Sequence, residues 1–238
     1  MTETHELKMP AQQPPLQIGM VLYPGLTTLD LIGPQNVLAV HAKTHLLWKT
    51  RALVTSDTGV SIQPTATFSD CPDDLDILFV PGGIGTTEAM ADREILQFLR
   101  DRGPRSRYVT SVCTGSLILA AAGLMQGYKA TTHWAMRHIL EAFGVECVHA
   151  RVVVDRNRIS GGGVTAGIDF GLTLLALLRG EDTAKLTQLM LEYDPAPPFR
   201  AGTPEAAGPE LTQRLVSFLE PHEQAMRKVA AEMSSRAS

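Results

Sequence analysis

Short apolar runs alternate with helix-length stretches along most of this chain. Runs rich in Val, Ile and Leu, each bounded by turn residues, occupy positions 18–22, 49–54, 77–80, 108–112, 151–154 and 158–160. Helical patterns lie between them, at positions 28–42, 93–102, 114–123 and 134–143. Continuously apolar strands are typical of parallel sheets that are covered by helices on both faces. The alternation therefore predicts an α/β three-layer sandwich with a mainly parallel sheet and right-handed crossovers.

Composition and charge exclude several classes of protein. The chain has 238 residues, of which 44% are hydrophobic and 19% charged, with 21 lysines and arginines against 25 aspartates and glutamates. This apolar share is ordinary for a globular protein, and the length fits a single α/β domain. A mildly acidic chain without a basic block carries no electrostatic signature of nucleic-acid binding. No apolar run approaches the roughly 18 residues that span a bilayer, so we expect no membrane association.

The N-terminus and the cysteines indicate a cytoplasmic protein. Residues 1–15 lack the apolar stretch of a secretory signal peptide. Three cysteines at long spacings support neither a disulfide framework nor a structural zinc site. In a reducing compartment each is either a buried filler or a reactive thiol. We interpret Cys71 and Cys147 as inert and treat Cys113 separately.

The chain divides into a main domain and two extensions. Residues 1–16 are polar and contain prolines, so we expect a flexible N-terminal tail. Residues 17–200 form the main domain, which ends with helical patterns at 165–179 and 183–193 and a proline-rich segment at 194–199. Residues 201–238 form a helical extension in which Pro221 separates two amphipathic helices, at 210–219 and 222–233. We expect these helices to pack on the domain or on a partner subunit.

The segment YVTSVCTGSL, at positions 108–117, carries the clearest chemical signal. A predicted strand ends directly before Cys113, and a predicted helix begins directly after it. Small residues two positions before and after the cysteine, Ser111 and Gly115, are typical of a nucleophile elbow, in which a sharp bend exposes the reactive side chain. We expect the helix N-terminus to stabilise a thiolate and to lower the pKa of the thiol. A buried, unreactive cysteine is the alternative interpretation.

A carboxylate follows the first predicted strand. Asp30 lies in the segment LDLIGP, which leads from that strand into the first helix. Because ligands of open parallel sheets bind beyond the carboxyl ends of the strands, Asp30 is a candidate to face Cys113. The neighbouring Leu29 and Leu31 favour partial desolvation, which raises the pKa of a carboxyl group and suits a general acid. A helix N-cap or first-turn aspartate is the alternative.

Two glycine-rich turns follow further predicted strands. The segment PGGIG, at 81–85, offers backbone amides for an oxyanion hole, although it matches neither a Walker loop nor the GxGxxG pattern. The segment GGGVT, at 161–165, allows close backbone approach and ends in a potential helix cap, Thr165. Plain tight turns are the alternative for both.

His133 is a candidate base, but no histidine adjoins Cys113, so we assign the proton chemistry to Asp30.

Several of these segments together resemble the DJ-1/PfpI superfamily of flavodoxin-like proteins. They are the elbow SVCTGSLILAAAGL, the PGG turn, LDLIGP, ATTHW and GGGVTAGIDFGL. Asp30 in place of the superfamily's usual glutamate, Thr114 directly after the cysteine, and the tail LEYDPAPPFRAGTPE make the chain similar to the isocyanide hydratases. The resemblance covers residues 17 to about 205. The histidine that follows the nucleophile in protease-like members is missing, which argues against peptidase activity.

The resemblance implies a role for each site residue. Cys113 is the nucleophile, Asp30 is the general acid and base, and Thr114 is a neighbouring active-site residue. The pocket near the sulfur is implied to be lined by the backbone of Gly83, Ile84, Gly162 and Val164. The expected reaction adds water to a small isocyanide through a covalent cysteine thioimidate and releases an N-substituted formamide. The resemblance also implies a homodimer with no metal and no organic cofactor.

Two other functions stay open at this point. The LDLIGP and ATTHW segments also resemble the sensor domains of AraC-type transcription regulators, so a non-enzymatic ligand or redox sensor is one alternative. About forty residues follow Phe199, which we take as too few for the two helix-turn-helix motifs of such regulators. Another cysteine hydrolase on the same scaffold is the second alternative, because a fold does not fix a function.

Overall fold

The computed structural model describes the backbone of residues 13–237 and the side chains of residues 13–233. The strands are β1 (Leu16–Val21), β2 (Ala42–Trp48), β3 (Val54–Thr55), β4 (Ser61–Ile62), β5 (Ala66–Thr67), β6 (Ile77–Val80), β7 (Tyr108–Val112), β8 (Lys129–Ala130), β9 (Glu146–Cys147), β10 (Val152–Asp155) and β11 (Arg158–Gly161). The helices are α1 (Thr28–Leu38), α2 (Thr86–Ala91), α3 (Arg93–Arg102), α4 (Gly115–Ala121), α5 (Arg137–Glu141), α6 (Ala166–Arg179), α7 (Glu181–Met190), α8 (Pro204–Ala207) and α9 (Pro209–Ala237).

Seven strands form the central sheet, in the order β10-β11-β7-β6-β1-β2-β5. Every neighbouring pair in this sheet is parallel except β10 and β11, which form an antiparallel hairpin at one edge. All four residues of β6 are buried, as expected for a strand with helices on both sides. The mainly parallel α/β fold predicted from the apolar runs is therefore confirmed.

Helices cover both faces of the sheet. On one face α1 packs against α6, and α7 packs beside α6. On the other face α2, α3, α4 and α5 pack together with α9. The rings of Phe79 on β6 and Phe170 on α6 are 5.7 Å apart and join sheet to helix in the core. Among residues 13–237, none of the helices combines the length and apolar character that a bilayer crossing requires.

The structure corrects the predictions around β2. The predicted helix at 28–42 ends at Leu38, followed by a 3-10 turn, and the strand comes at Ala42–Trp48 rather than at 49–54. Only Leu47 is fully buried in β2, so the strand lacks the continuous apolar run that identified its neighbours. Leu16, placed in the N-terminal tail from the sequence, begins β1 and is buried. Residues 1–12 of that predicted tail lie outside the described residues.

In the C-terminal extension, one long helix takes the place of the two predicted at 210–219 and 222–233. Helix α9 runs from Pro209 to Ala237, with Pro221 inside it. Pro221 lies on the exposed side of the helix, where water can bond to the carbonyl that loses its amide partner. Proline on this side therefore does not end the helix. Helix α9 packs against α2, α4 and α5 of the same chain.

Candidate active site

Four neighbouring strands of the sheet end at one edge, and a residue of the candidate site follows each. Asp30 lies on α1 after β1, Gly82 follows β6, Cys113 follows β7 and Gly162 follows β11. The strand order reverses between β1 and β6, which is where open α/β sheets form their ligand crevice. The sheet therefore brings together residues that are up to 132 positions apart, from position 30 to position 162.

Cys113 has a left-handed backbone conformation, with φ at +55°. Such a conformation costs a non-glycine residue about 1–2 kcal/mol, so the surroundings must hold it. Its amide donates to the carbonyls of Gly161 at 3.1 Å and Gly162 at 2.7 Å. Its carbonyl accepts from Thr132 Oγ1 at 3.0 Å and Ser116 Oγ at 3.3 Å. These four bonds fix the strand-to-helix turn.

Two glycines make the close packing around the elbow possible. A Cβ at Gly115 would lie 2.1 Å from the carbonyl oxygen of Val80, which is a clash with backbone. A Cβ at Gly82 would lie 2.5 Å from the amide nitrogen of Thr114 and 2.8 Å from the Cβ of Cys113. The sequence pattern identified Gly115 as part of the elbow, and the structure gives the physical reason for it.

Asp30 is fully buried at the switch point of the sheet, which is the place between β1 and β6 where the strand order reverses. Its Oδ2 accepts a 3.0 Å hydrogen bond from the Gly82 amide. Its Oδ1 has no partner with full hydrogen-bond geometry within residues 13–233, and the Cys113 thiol approaches the carboxyl group. Burial raises the pKa of Asp30 from 3.8 to about 7, assisted by the negative charge of Asp57 and opposed by hydrogen bonding from Cys113 and Gly82. Asp30 therefore exchanges its proton close to neutral pH.

The expected lowering of the Cys113 pKa does not hold in the structure. Burial, followed by the nearby carboxyl of Asp30, raises the pKa of the Cys113 thiol well above its usual value. The amide and hydroxyl of Thr114 at the start of α4 oppose this rise without reversing it. The helix N-terminus is present as predicted, but burial outweighs it, so the resting group is a thiol.

Thr114 connects the elbow to the PGG turn through its hydroxyl. Thr114 Oγ1 accepts from the Gly83 amide at 3.0 Å and lies 2.7 Å from Thr86 Oγ1. Thr86 Oγ1 donates to the Gly83 carbonyl at 2.7 Å, so its proton is used there. The Thr114 hydroxyl can therefore donate to Thr86 Oγ1, to the Gly83 carbonyl at 3.5 Å, or to the Cys113 sulfur. The last of these interactions lowers the pKa of the thiol.

A cavity of about 140 Å³ opens beside the Cys113 sulfur. Of the residues implied to line the pocket, Gly83, Ile84 and Val164 do so. Gly162 is not among the lining residues, and its carbonyl instead accepts from the Cys113 amide. The remaining walls come from Thr27, Thr114, His133, Met136, Leu219, His222 and Met226.

His133 lies in the cavity wall and begins a 3-10 turn. Its Nδ1 accepts a 3.4 Å hydrogen bond from the Ala135 amide, which assigns the ring proton to Nε2 when the ring is neutral. Burial and the charge of Arg137 lower the pKa of His133, so the neutral ring is favoured. His133 therefore presents a neutral imidazole near the sulfur and no positive charge.

Besides Thr27 and Met136, three cavity residues on α9 were not identified from the sequence: Leu219, His222 and Met226. They follow the three- and four-residue spacing of one helix face, which the sequence shows. That spacing indicates an amphipathic helix but not the surface that it covers. Among residues 13–233, no group of three or more His, Cys, Asp or Glu side chains is arranged to hold a metal ion.

Comparisons with the sequences of known proteins give three findings. The sequence profile of the DJ-1/PfpI family matches residues 17–177. An isonitrile hydratase of Pseudomonas putida is 54% identical over 194 residues, which cover 81% of this chain and 85% of that protein. The HTH-type transcriptional regulator GbdR of Pseudomonas aeruginosa is 30% identical over 195 residues, which cover 78% of this chain and 53% of the regulator.

Comparisons with solved structures support the same fold. A ThiJ/PfpI family protein from Pseudomonas syringae matches with a TM-score of 0.89 at 47% identity, covering 95% of this chain and 98% of that one. Schizosaccharomyces pombe DJ-1 matches with a TM-score of 0.66 at 19% identity, covering 75% and 100%, a similarity of fold alone. The flavodoxin-like α/β sandwich expected from the sequence motifs is confirmed.

Proposed function

This chain belongs to the DJ-1/PfpI family, and we propose that it is a cysteine-dependent isonitrile hydratase. Such a hydro-lyase adds water to an isonitrile, which is another name for an isocyanide, and releases an N-substituted formamide. The observation that carries the proposal is the buried pairing of Asp30 with Cys113 at the switch point of the sheet. The 54% identity to the Pseudomonas putida isonitrile hydratase supports isonitriles as the substrate class.

The pair works as a unit that shares protons. With a pKa of about 7, the Asp30 carboxyl loses its proton near neutral pH, whereas the Cys113 thiol, whose pKa is raised further, keeps its own. The remaining proton can lie on sulfur or on the carboxyl group. The second arrangement gives a thiolate beside a neutral acid, and the Thr114 amide and hydroxyl stabilise the sulfur's charge.

The first step forms a bond between sulfur and the terminal carbon of the isonitrile. The thiolate of Cys113 attacks that carbon while Asp30 delivers the shared proton to it. The product is a thioimidate, R–N=CH–S, on Cys113, and Asp30 is left as a carboxylate. No leaving group departs, so the adduct has the mass of the enzyme plus the whole substrate.

The second step uses water and returns the enzyme to its starting state. Asp30 removes a proton from a water molecule, whose oxygen bonds to the thioimidate carbon, and that proton passes to the nitrogen. Collapse to the carbonyl breaks the C–S bond, releases R–NH–CHO, and returns the hydroxyl proton to the pair. One carboxyl group therefore serves as acid and then as base, and the neutral His133 is not required to exchange a proton.

The test compares turnover with capture of the intermediate. We expect wild-type protein to convert p-nitrophenyl isonitrile to the formamide, and Cys113→Ala and Asp30→Asn to lose at least about a thousandfold in kcat/KM. Cys71→Ala and Cys147→Ala are the matched controls, because both cysteines lie outside the cavity, and they should remain active. Acid quenching during turnover should yield the substrate-sized adduct on the peptide that contains Cys113. Absence of turnover by reduced wild-type protein, or full activity of Cys113→Ala, overturns the proposal.

A ligand sensor is the second candidate, and it is supported by the 30% identity to the GbdR regulator. A sensor needs a pocket that binds its ligand but no proton exchange at Asp30. Saturable binding of small molecules without any chemical change, undiminished in Asp30→Asn, would favour this function over the hydratase.

We further propose that the protein acts as a cytoplasmic homodimer, as the family resemblance implies. Exposed apolar side chains on α7 and after it support a subunit interface: Leu186 is 58% exposed, Leu189 77%, Met190 58% and Phe199 79%. Light scattering at micromolar concentration should give twice the 25.8 kDa chain mass, and a monomer mass would contradict this part of the proposal.

A further inference from the structure

We propose that helix α9 forms the roof of the catalytic cavity and that its side chains determine which isonitriles the enzyme accepts. The inference rests on the proposed hydratase function for its substrate class. It assigns a role to a helix that follows the sheet in the sequence and lies outside the motifs at the strand ends. The residues that carry it are Leu219, His222 and Met226.

The three side chains lie on the face of α9 that packs on the domain. Met226 is 2% exposed, and Ala230, one turn further along, is 1% exposed, so this face is closed against the protein. The adjacent Phe218 is 73% exposed and points to solvent. The His138 ring lies 2.8 Å from the Glu223 carboxylate and connects α9 to α5. The roof is therefore held in place by packing and by a polar contact outside the cavity.

The size of the cavity limits the substrate. A dry protein cavity of about 150 Å³ holds one benzene molecule, and the cavity under α9 has a volume of about 140 Å³. An isonitrile whose organic group is similar in size to a benzene ring fills this space. A larger group must extend past the roof or displace it.

An outer cleft of about 610 Å³ lies next to the catalytic cavity. Ile84 and His222 line both spaces, so they form the partition between them. Ile84 is 51% exposed, and the walls of the cleft beyond it include Trp48, Lys49 and Glu88. We expect substrate to enter the catalytic cavity from the cleft, between Ile84 and His222. Bulky isonitriles would project through it, with the reactive carbon at Cys113 and the remainder in the cleft.

The test measures kcat/KM for ethyl isonitrile and for 2-naphthyl isonitrile with each variant. The ratio of the two values within one variant does not depend on the fraction of protein that is folded. We expect Met226→Ala and His222→Ala to shift this ratio toward the naphthyl substrate by at least about tenfold, since one or two methylene groups in an apolar pocket are worth that much. Phe218→Ala is the matched control on the same helix and should keep the wild-type ratio within about twofold. Unchanged ratios in both cavity variants overturn the proposal.

A second readout separates failure of the roof from failure of the hydratase proposal. If wild-type protein turns over neither of these isonitriles nor p-nitrophenyl isonitrile, the hydratase proposal fails, and access to Cys113 is then measured by alkylation and peptide mapping. We expect His222→Ala to accelerate labelling of Cys113 by N-pyrenylmaleimide, relative to iodoacetamide, by at least about tenfold over wild type and Phe218→Ala. Equal ratios of the two labelling rates in all three proteins refute the roof independently of any turnover.

Discussion

Replacing Asp30 with asparagine should stabilise the protein at neutral and alkaline pH while it abolishes turnover. The folded state holds the Asp30 proton up to a pKa of about 7, whereas the unfolded chain releases it at 3.8. Between these values the folded state binds more protons than the unfolded state, so the free energy of unfolding falls as pH rises. Asparagine keeps an acceptor for the Gly82 amide and carries no charge at any pH, so the variant lacks this loss.

The magnitude follows from the difference between the two pKa values. A difference of about three pH units, at 1.36 kcal/mol per unit, gives about 4 kcal/mol. This loss is complete above pH 7 and absent below pH 4. The variant and the wild type should therefore have similar stability at pH 4, and the variant should be more stable by up to about 4 kcal/mol at pH 8.

Urea unfolding, followed by tryptophan fluorescence between pH 4 and pH 8, measures this difference. Asp155→Asn is the matched control because the Asp155 pKa is lowered to about 2, chiefly by a hydrogen bond from Arg156. Ionised Asp155 is stabilised in the folded state, so its replacement should bring no gain as pH rises. If Asp30→Asn is no more stable than wild type at pH 8, or gains equally at pH 4, burial of this carboxyl group is not what raises its pKa.

Three shorter predictions concern the same site. Thr114→Val should lower kcat/KM about 10- to 100-fold in steady-state assays, because it removes a hydrogen bond to a charged sulfur. Thr114→Ser keeps the hydroxyl and should stay near wild type. Equal losses in both variants would contradict the role of the hydroxyl. Gly115→Ala should cost at least about 2 kcal/mol in urea unfolding, because its Cβ meets the Val80 carbonyl, while Gly202→Ala, with no atom within 4 Å, should be neutral; equal stabilities would refute the clash. Asp57→Asn should move the rising limb of the pH profile of kcat/KM to lower pH, because the negative charge of Asp57 raises the pKa of Asp30; a limb that stays in place argues against this coupling.

Features with a local signal could be predicted from the sequence. Helix α3 occupies the predicted residues because its apolar face repeats at helical spacing and Asp92 caps its first turn, accepting from the amides of Glu94 and Ile95. The elbow is encoded within five consecutive residues, from Ser111 to Gly115, because the bend needs small neighbours at fixed offsets. Each of these signals depends only on nearby residues.

Features that depend on distant residues could not be predicted in the same way. The helix N-terminus that follows Cys113 is visible in the sequence and predicts a lowered pKa, but burial, which depends on the whole fold, raises it. His222 lies 109 positions after Cys113, from 113 to 222, and its place in the cavity depends on how α9 packs. Strand β2 is half-buried, so its sequence lacks the apolar run that identified the central strands.

The position of Gly82 has a consequence for how this site can change. Its amide donates to Asp30, and a Cβ at this position would lie 2.8 Å from the Cβ of Cys113, so any side chain there would push against the elbow. The distance between Asp30 and Cys113, on which the proposed chemistry depends, is therefore set by main-chain atoms at the end of β6. A side chain cannot be added there without displacing its neighbours. We expect differences in substrate preference to arise instead from side chains such as those of α9, which can be replaced without moving the sheet.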